Sequence, residues 1–271
     1  MSDTDIVPAS PGILGPMFTL AKRELVRFLR QRSRVASALL QPIIFFLFFG
    51  AALQNSIKLP GSGDNASFQL YLFPGTIVMI VMFTAIFSTI SIIEDRREGF
   101  LQSVLVAPAS RFSMVMGKLL GGSILAMMQG ALFMLAAFFL PLHMDAAAWL
   151  ESFAVMALIS VALCGLGFLI AWRMDSSQGF HAIMMLFLFP MLILSGAFFP
   201  QAGVPGWLAV IMGINPLTYG LATLRHVMLG ANAPDYLPGF ALSLTITAVF
   251  AAATVFGSVA VSATRTTGDL Q

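Results

Sequence analysis

The sequence predicts an all-α integral membrane protein, and its composition is the first reason. Hydrophobic residues make up 58% of the 271 residues, charged residues make up 10%, and the mean hydropathy is +0.91. A soluble domain carries about 25% charged residues and at most about half apolar ones. Composition therefore excludes a soluble enzyme, a disordered chain and a disulfide-rich secreted domain. The single cysteine, Cys164, cannot form an intrachain disulfide.

Six apolar runs without a charged residue are the second reason, because about 20 residues cross ~30 Å of hydrocarbon as a helix. The runs are continuously apolar, which favours helices over the alternating strands of a barrel. We expect one transmembrane domain over residues 16–263, between a flexible N-terminal tail at 1–15 and a C-terminal tail at 264–271. The predicted spans are residues 35–53, 72–93, 119–140, 152–172, 180–199 and 240–263.

The distribution of lysine and arginine is the third reason, and it predicts the orientation. With six spans and both termini in the cytoplasm, all of the 14 basic residues lie inside except Lys58 and Arg225. Such an excess of positive charge marks the cytoplasmic side of a membrane protein.

The first predicted element, residues 16–34, combines apolar side chains at helical spacing with a run of basic side chains. This pattern is typical of an amphipathic helix that lies on the inner membrane face before the first span. A basic nucleic-acid-binding arm is the alternative, but it would leave the apolar face without a partner. The basic residues that we assign to this interfacial helix are Lys22, Arg23, Arg27 and Arg30.

A seventh apolar stretch, residues 204–229, precedes the last span. Asn215 and Pro216 interrupt it in the middle, and Arg225 lies near its end. Each half is too short to cross alone, so we predict an outer re-entrant helical hairpin that is buried against protein. A single kinked seventh span is the alternative.

Polar side chains within the spans are few, and the sequence leaves two interpretations open for them. They hydrogen-bond to neighbouring helices, or they line a pathway for an amphiphilic substrate. Gly117 and Gly121 form a GxxxG step that permits close helix packing. The residues that we assign to a possible pathway lining are Gln41, Thr84, Ser88, Gln129 and Ser195.

No catalytic or metal-binding pattern is apparent in the sequence. His143, His181 and His226 fall in separate segments without ligand spacing. The predicted spans contain no Asp, Glu, Lys or Arg, which disfavours an ion-coupled carrier, and His181 is the one candidate near a span end. We therefore expect no enzyme activity and no metal or cofactor on this chain.

The predicted inner loop, residues 94–118, is the most informative segment. Charged residues open it, apolar residues then recur at helical spacing, and Pro108 ends the pattern. A solvated connector is the ordinary interpretation of such a charge run. The exposed apolar side chains instead favour a short cytoplasmic helix that binds a partner protein. Movement of that partner would then move the two adjoining spans together.

Two stretches carry a resemblance to a known family. EDRREGFLQSVLVAPASR (residues 94–111) resembles an acidic loop that ends in a Pro-x-Ser-Arg-like element. SGAFFPQAGVPGWLAVIMGINPLTYGLATLRHVMLG (residues 195–230) resembles a Ser-Gly, Phe-Pro, Asn-Pro-Leu and Arg series before the last span. Both are similar to the membrane subunit of type II ABC exporters, the ABC-2 permease family, and the match covers nearly the whole chain.

The resemblance implies a function as well as a fold. It implies two permease copies, as a homodimer or with a related chain, paired with two ATP-binding subunits that hold the ATP and Mg²⁺. It also implies export across a bacterial inner membrane. A second copy is expected on physical grounds too, because six helices barely enclose a route for a large substrate. The residues that it assigns to coupling with the ATP-binding subunit are Glu94, Asp95, Arg96, Arg97, Glu98, Phe100, Leu101 and Leu105.

Other functions remain open at this level. A secondary carrier or channel conflicts with the lack of charge in the spans, and a membrane-embedded enzyme lacks a His, Asp or Glu cluster. A structural membrane subunit without transport is a further alternative. A drug, a lipid and a lipid-linked glycan would all suit an interior rich in Phe and Met. We expect a hydrophobic or amphiphilic substrate.

Overall fold

A computed structural model describes residues 12–30, 32–53, 68–100 and 110–263, and every regular element in these ranges is helical. The predicted tails, apart from residues 12–15, lie outside the described residues, as do Leu101 and Leu105. The helices are α1 (Leu14–Arg30), α2 (Arg32–Leu53), α3 (Phe68–Ser88), α4 (Ile90–Arg97), α5 (Arg111–Met134), α6 (Ala146–Ala171), α7 (Ser177–Ile193), α8 (Gly206–Ile214), α9 (Pro216–Leu229) and α10 (Phe240–Ala263), with 3₁₀ turns at Leu135–Phe139 and Gly230–Asn232.

The nearly continuous pair α3 and α4 forms the centre of the molecule. The side chains of α3 are apolar on all sides of the helix, a pattern that is typical of a helix enclosed by other helices. It packs against α2, α5 and α6, and most of its side chains are buried. Together the two helices make a 30-residue rod, Phe68–Arg97, that runs through the fold.

The amphipathic helix α1 packs directly on α5, and two glycines make this possible. A Cβ atom on Gly117 would lie 2.9 Å from the carbonyl oxygen of Met17, and one on Gly121 would lie 3.2 Å from that of Ala21. Any larger side chain would therefore push the two backbones apart. The GxxxG step predicted to allow close packing is where α1 approaches α5.

Four helices of the described ranges are long and apolar enough to cross a membrane, namely Phe68–Arg97, Arg111–Phe139, Ala146–Ala171 and Phe240–Ala263. The pair α8 and α9 bends by 84° and would be a fifth crossing if it formed one span. The apolar parts of α2 and α7, Leu40–Ala52 and Ser177–Ile193, are shorter than the about 20 residues of a straight span. The all-helical fold is confirmed, whereas the count of six spans stays a prediction.

Several helix ends differ from the ends of the apolar runs. Helix α5 begins at Arg111, well before residue 119, because the charge of Lys118 is paired and Ser110 caps the helix. Helix α6 begins at Ala146 rather than at residue 152, because the Asp145 side chain caps its first turn. Helix α7 ends at Ile193 rather than near residue 199, since Gly196 adopts a positive φ of 83° that ends the helical path.

Candidate functional site

Asp95 lies at the centre of a cluster of ion pairs that joins three helices. Its side chain is completely buried, yet it accepts hydrogen bonds from Arg23 at 2.8 and 2.9 Å and from Arg27 at 3.1 Å. Lys118 of α5 donates to the same carboxylate. A buried carboxylate is costly unless cations compensate it. Here two cations from α1 and one from α5 surround a charge on α4.

Lys118 and Glu24 form the second buried pair of this cluster. The Nζ atom of Lys118 donates to Oε1 of Glu24 at 2.5 Å and to the hydroxyl of Ser91 at 3.1 Å. Both charged side chains are less than a tenth exposed. Neither residue was predicted from the sequence to belong to a site. The sequence does contain an indication of this pair, because Glu24 is the one acidic residue within the basic helix α1.

The edge of the cluster is closer to solvent. Arg27 reaches Glu94 at 2.8 Å and Glu98 at 3.6 Å, and the Glu98 side chain is 60% exposed. Hydrogen bonds to Asp95 raise the pKa of the Arg23 guanidinium, against the opposing effect of its partial burial. We call the set Arg23, Glu24, Arg27, Glu94, Asp95 and Lys118 the ion-pair cluster.

Helix α4 is also fixed to the connection between α6 and α7. Arg96 donates to the carbonyl oxygens of Trp172 at 2.7 Å and Met174 at 3.3 Å, and it pairs with Asp175 at 3.3 Å. The Nε atom of Arg97 donates to the backbone oxygen of Asp175 at 2.9 Å. Together with the ion-pair cluster, these bonds hold α4 to α1, to α5 and to the end of α6.

The predicted coupling residues therefore occupy different environments. Asp95 is enclosed, the Arg96 side chain is only 8% exposed, and Glu94 and Phe100 are half-buried. The Phe100 ring lies 3.7 Å from the Arg23 guanidinium carbon, so its exposed face is reduced. Arg97 and Glu98 are the exposed members within the described residues. The docking role of the whole set stays a prediction.

A mostly apolar cavity of about 220 Å³ lies between α1, α2, α3 and α7. The Phe83 and Phe87 rings are stacked with their centroids 5.8 Å apart, and the His181 ring lies 4.9 Å from Phe87. The lining residues of this aromatic cavity are Phe28, Gln41, Pro42, Met79, Ile80, Phe83, Thr84, Phe87, Ser88, His181, Met185 and Phe189.

The structure brings three of the five predicted lining residues together in this cavity, namely Gln41, Thr84 and Ser88. The other two have different surroundings. Gln129 is buried behind Thr84 and accepts a hydrogen bond from its hydroxyl at 2.5 Å. Ser195 is buried in the turn after α7, where its hydroxyl donates to the carbonyl of Leu192 at 2.6 Å.

The aromatic side chains of the cavity were missed by the sequence reasoning. Phe83 and Phe87 are four residues apart, a spacing that places two side chains on one face of a helix. That pattern was readable, but α3 is apolar all round, so nothing in the sequence distinguishes this face from the others.

Arg225 lies at the opposite end of α3 from the ion-pair cluster. It is 1% exposed, and one of its amino groups donates to the carbonyl oxygens of Gly196 at 2.8 Å and Tyr71 at 3.3 Å. The Tyr71 ring lies 3.9 Å from the guanidinium carbon, and its hydroxyl also donates to the Gly196 oxygen, at 2.6 Å. Arg225 thus fastens α9 to α3 and to the turn after α7.

Asn215 and Pro216 make the bend between α8 and α9. The Asn215 side chain accepts from the backbone of Leu217 at 3.0 Å and so caps α9, where Pro216 occupies the first turn. Its amide nitrogen donates to the carbonyl of Met191 in α7 at 2.6 Å. The two predicted short helices are present and tied to α7, and their re-entrant placement stays a prediction.

The chain matches a known protein family. The profile of the ABC-2 type transporter family matches residues 16–229. This range includes the ion-pair cluster, the aromatic cavity and both helices of the bend at Asn215.

Individual relatives agree with this match. A protein named putative transport permease ycf38 from Cyanophora paradoxa is 29% identical over 213 residues, which cover 78% of this chain and 73% of the relative. The probable multidrug ABC transporter permease YbhR of Escherichia coli K12 is 25% identical over 61% of this chain and 45% of its own length. Nodulation protein J of Rhizobium meliloti is 26% identical over 71% of this chain and 73% of its own.

Proposed function

Because the chain belongs to the ABC-2 type transporter family, we propose that it is the membrane subunit of an ATP-driven exporter. The family and the apolar helices make it a multi-pass membrane protein with a transport permease role. Members of the family work with an ATP-binding subunit. Beyond this family role, we propose that transport is coupled to ATP, that it is directed outward, and that the substrate is hydrophobic or amphiphilic.

The attachment of α4 on several sides is the observation that carries the proposal. The ion-pair cluster holds α4 to α1 and α5, and Arg96 and Arg97 hold it to the end of α6. A partner that displaces α4 would therefore move these helices together rather than bend a loose loop. Rigid-body transmission of this kind is how closure of a partner domain reaches a distant site.

The docking surface follows from exposure. Arg97 and Glu98 are exposed at the end of α4, and in the sequence they precede Leu101 and Leu105, which lie outside the described residues. We place the ATP-binding subunit against this surface. Glu94 and Asp95 hold the adjacent part of α4 in place, because both form ion pairs with Arg27 of α1.

The aromatic cavity is the substrate site of the proposal. Stacked phenylalanine rings and methionines favour a flat apolar group, and Thr84, Ser88 and Gln41 offer a few hydrogen-bonding atoms to orient it. Phe83 and Phe87 belong to the same rod as Asp95, so movement of α4 would reach the cavity along one helix. We propose that the substrate is a hydrophobic or amphiphilic aromatic molecule, which is exported across a bacterial cytoplasmic membrane. Both termini of the permease chain would then lie in the cytoplasm.

Assembly completes the proposal. Two permease copies would enclose a pathway that one copy leaves open, since the aromatic cavity of one chain lies beside the partly exposed helices α2 and α7. Two ATP-binding subunits, which carry the ATP and Mg²⁺, would then dock on the two inner surfaces.

Transport by reconstituted complexes tests the substrate site. Phe87→Ala removes the ring that stacks on Phe83 and contacts His181. We expect uptake of a fluorescent aromatic amphiphile into inverted vesicles to fall about tenfold. Phe187→Ala is the matched control, since Phe187 lies on α7 outside the cavity and is 64% exposed. Equal uptake by both variants and the unmodified chain would remove the cavity from the pathway.

A further inference from the structure

The four basic residues of α1 divide into two sets. Arg23 and Arg27 are engaged in the ion-pair cluster. Lys22 and Arg30 are exposed, and neither pairs with an acidic side chain in the part of the chain that the structure describes. Glu24, the one acidic residue of α1, is buried against Lys118. The exposed side of α1 therefore carries positive charge without compensation.

The two unpaired cations belong to a row of every fourth residue, which advances about 40° around the helix at each step and so winds across its exposed side. The apolar members of the row are strongly exposed, with Leu14 at 63%, Phe18 at 61% and Val26 at 40%. Leu29, beside the end of the row, is 49% exposed. We call Leu14, Phe18, Lys22, Val26, Leu29 and Arg30 the exposed row.

A helix face that combines large apolar side chains with uncompensated cations matches the chemistry of a lipid interface. The apolar side chains enter the boundary between headgroups and acyl chains, while the cations meet the phosphates. Lys22 and Arg30 are eight residues apart, which is about 12 Å along the helix axis, so they reach separate headgroups. A net positive face favours anionic over zwitterionic headgroups.

We infer that the exposed row of α1 binds anionic phospholipids of the inner leaflet, with Lys22 and Arg30 on their headgroups. This inference rests on the membrane placement in the proposed function. The opposite face of α1 carries Arg23, Glu24 and Arg27 into the ion-pair cluster. A lipid on the exposed row thus steadies α1 where it meets α4, and transport depends on anionic lipid.

Lipid retention by the full-length chain tests the inference without the ATP-binding subunit. The chain is placed in nanodiscs of phosphatidylcholine with or without phosphatidylglycerol, and bound lipid is counted by native mass spectrometry after extraction. Lys22→Gln with Arg30→Gln lowers the retention of phosphatidylglycerol about thirtyfold, which is about fivefold for each cation. Phosphatidylcholine retention stays unchanged.

Two control variants sharpen the test. Arg173→Gln removes an exposed arginine that lies outside the exposed row, and it retains phosphatidylglycerol like the unmodified chain. Lys22→Arg with unmodified Arg30 keeps the charge and retains the lipid. Full retention by the double Gln variant overturns the inference. Equal displacement of the lipid by soluble glycerol phosphate also overturns it, because the apolar residues would then contribute nothing.

The outcome is separable from that of the proposed function. Retention is measured on a chain that neither hydrolyses ATP nor transports, so a failure of export leaves the lipid result readable. A complex that transports equally well in pure phosphatidylcholine, with unmodified and double-variant chains alike, contradicts the lipid inference alone.

Discussion

The carboxylate of Asp95 is completely buried. Asp95 has no contact with solvent and depends on Arg23, Arg27 and Lys118 for compensation. Removal of one partner from such a group leaves the opposite charges buried and unpaired, which costs more than the intact pairs contribute. The ion-pair cluster therefore acts as a unit rather than as a sum of separate pairs.

Substitution of Asp95 tests this at the residue scale. Asp95→Asn keeps the shape of the side chain but leaves the cations around it without a counter-charge, and we expect the free energy of unfolding to fall by about 3–5 kcal/mol. Denaturant unfolding in detergent micelles, followed by tryptophan fluorescence, measures the change. Glu98→Gln serves as control and shifts the unfolding free energy by less than about 1 kcal/mol, since Glu98 is largely exposed. Matching stabilities for Asp95→Asn and the unmodified chain would contradict a stabilising cluster.

The charged residues of the cluster were evident from the sequence, but their pairing was not. The basic residues of α1 and the acidic residues of α4 were both singled out, yet about 70 positions separate Arg23 from Asp95. Charge patterns report which side of the membrane a residue favours. They do not report which charges neutralise one another, because that depends on how close α1 and α4 come in the folded chain. Arg225 illustrates the same limit, since its burial against Tyr71 was not apparent from its position near a predicted hairpin.

Close packing of α1 on α5 is the main constraint at the element scale. Gly117 and Gly121 face the backbone of α1, and a carbonyl oxygen cannot move aside as a flexible side chain can. The position of α1, and with it the position of Arg23 and Arg27, thus depends on two residues that carry no functional group.

An alanine at Gly117 tests this dependence. Overpacking of a tight contact costs about 1–3 kcal/mol, so Gly117→Ala lowers the midpoint of thermal unfolding in detergent. Gly179→Ala is the matched control, because its Cβ meets ordinary contacts of 3.4 Å or more, and alanine favours a helix over glycine. An unchanged midpoint for Gly117→Ala would mean that α1 adjusts its position freely.

Hydropathy located the helices better than their ends. The last predicted span, 240–263, coincides with α10, since no charged residue interrupts that segment. Helix α5 extends to Arg111 because Lys118 is paired with Glu24, and an apolar-run criterion stops at any charge. The fold class was therefore predictable, whereas element ends depend on caps and ion pairs that hydropathy does not report.

One rod connects the two ends of the molecule at the largest scale. The ion-pair cluster, with Asp95 at its centre, lies at one end of the rod that α3 and α4 form. The contact between Arg225 and Tyr71 lies at the other end. About 24 helical residues between them correspond to ~36 Å, enough to cross the hydrocarbon of a bilayer. Phe83 and Phe87 lie between these ends, so the rod joins the docking surface of the proposal to the aromatic cavity.

The orientation of this rod is testable with cysteine labels. Asn65→Cys is expected to react with a membrane-impermeant maleimide added to intact cells, and Gln102→Cys is expected to react only after the inner face is opened. Unmodified chain is the control, because the native Cys164 is buried. The reverse labelling pattern would invert the topology and place the ion-pair cluster outside.

Partnership with an ATP-binding subunit is the central claim, and co-purification tests it most directly. The tagged chain is isolated from its native membrane in a mild detergent, and the proteins that accompany it are identified and quantified by mass spectrometry. The account predicts a phosphate-loop ATPase at a ratio near one to one, lost when Glu98 and Arg97 are both replaced by Ala. A chain that reproducibly emerges intact and alone would contradict an ATP-driven exporter.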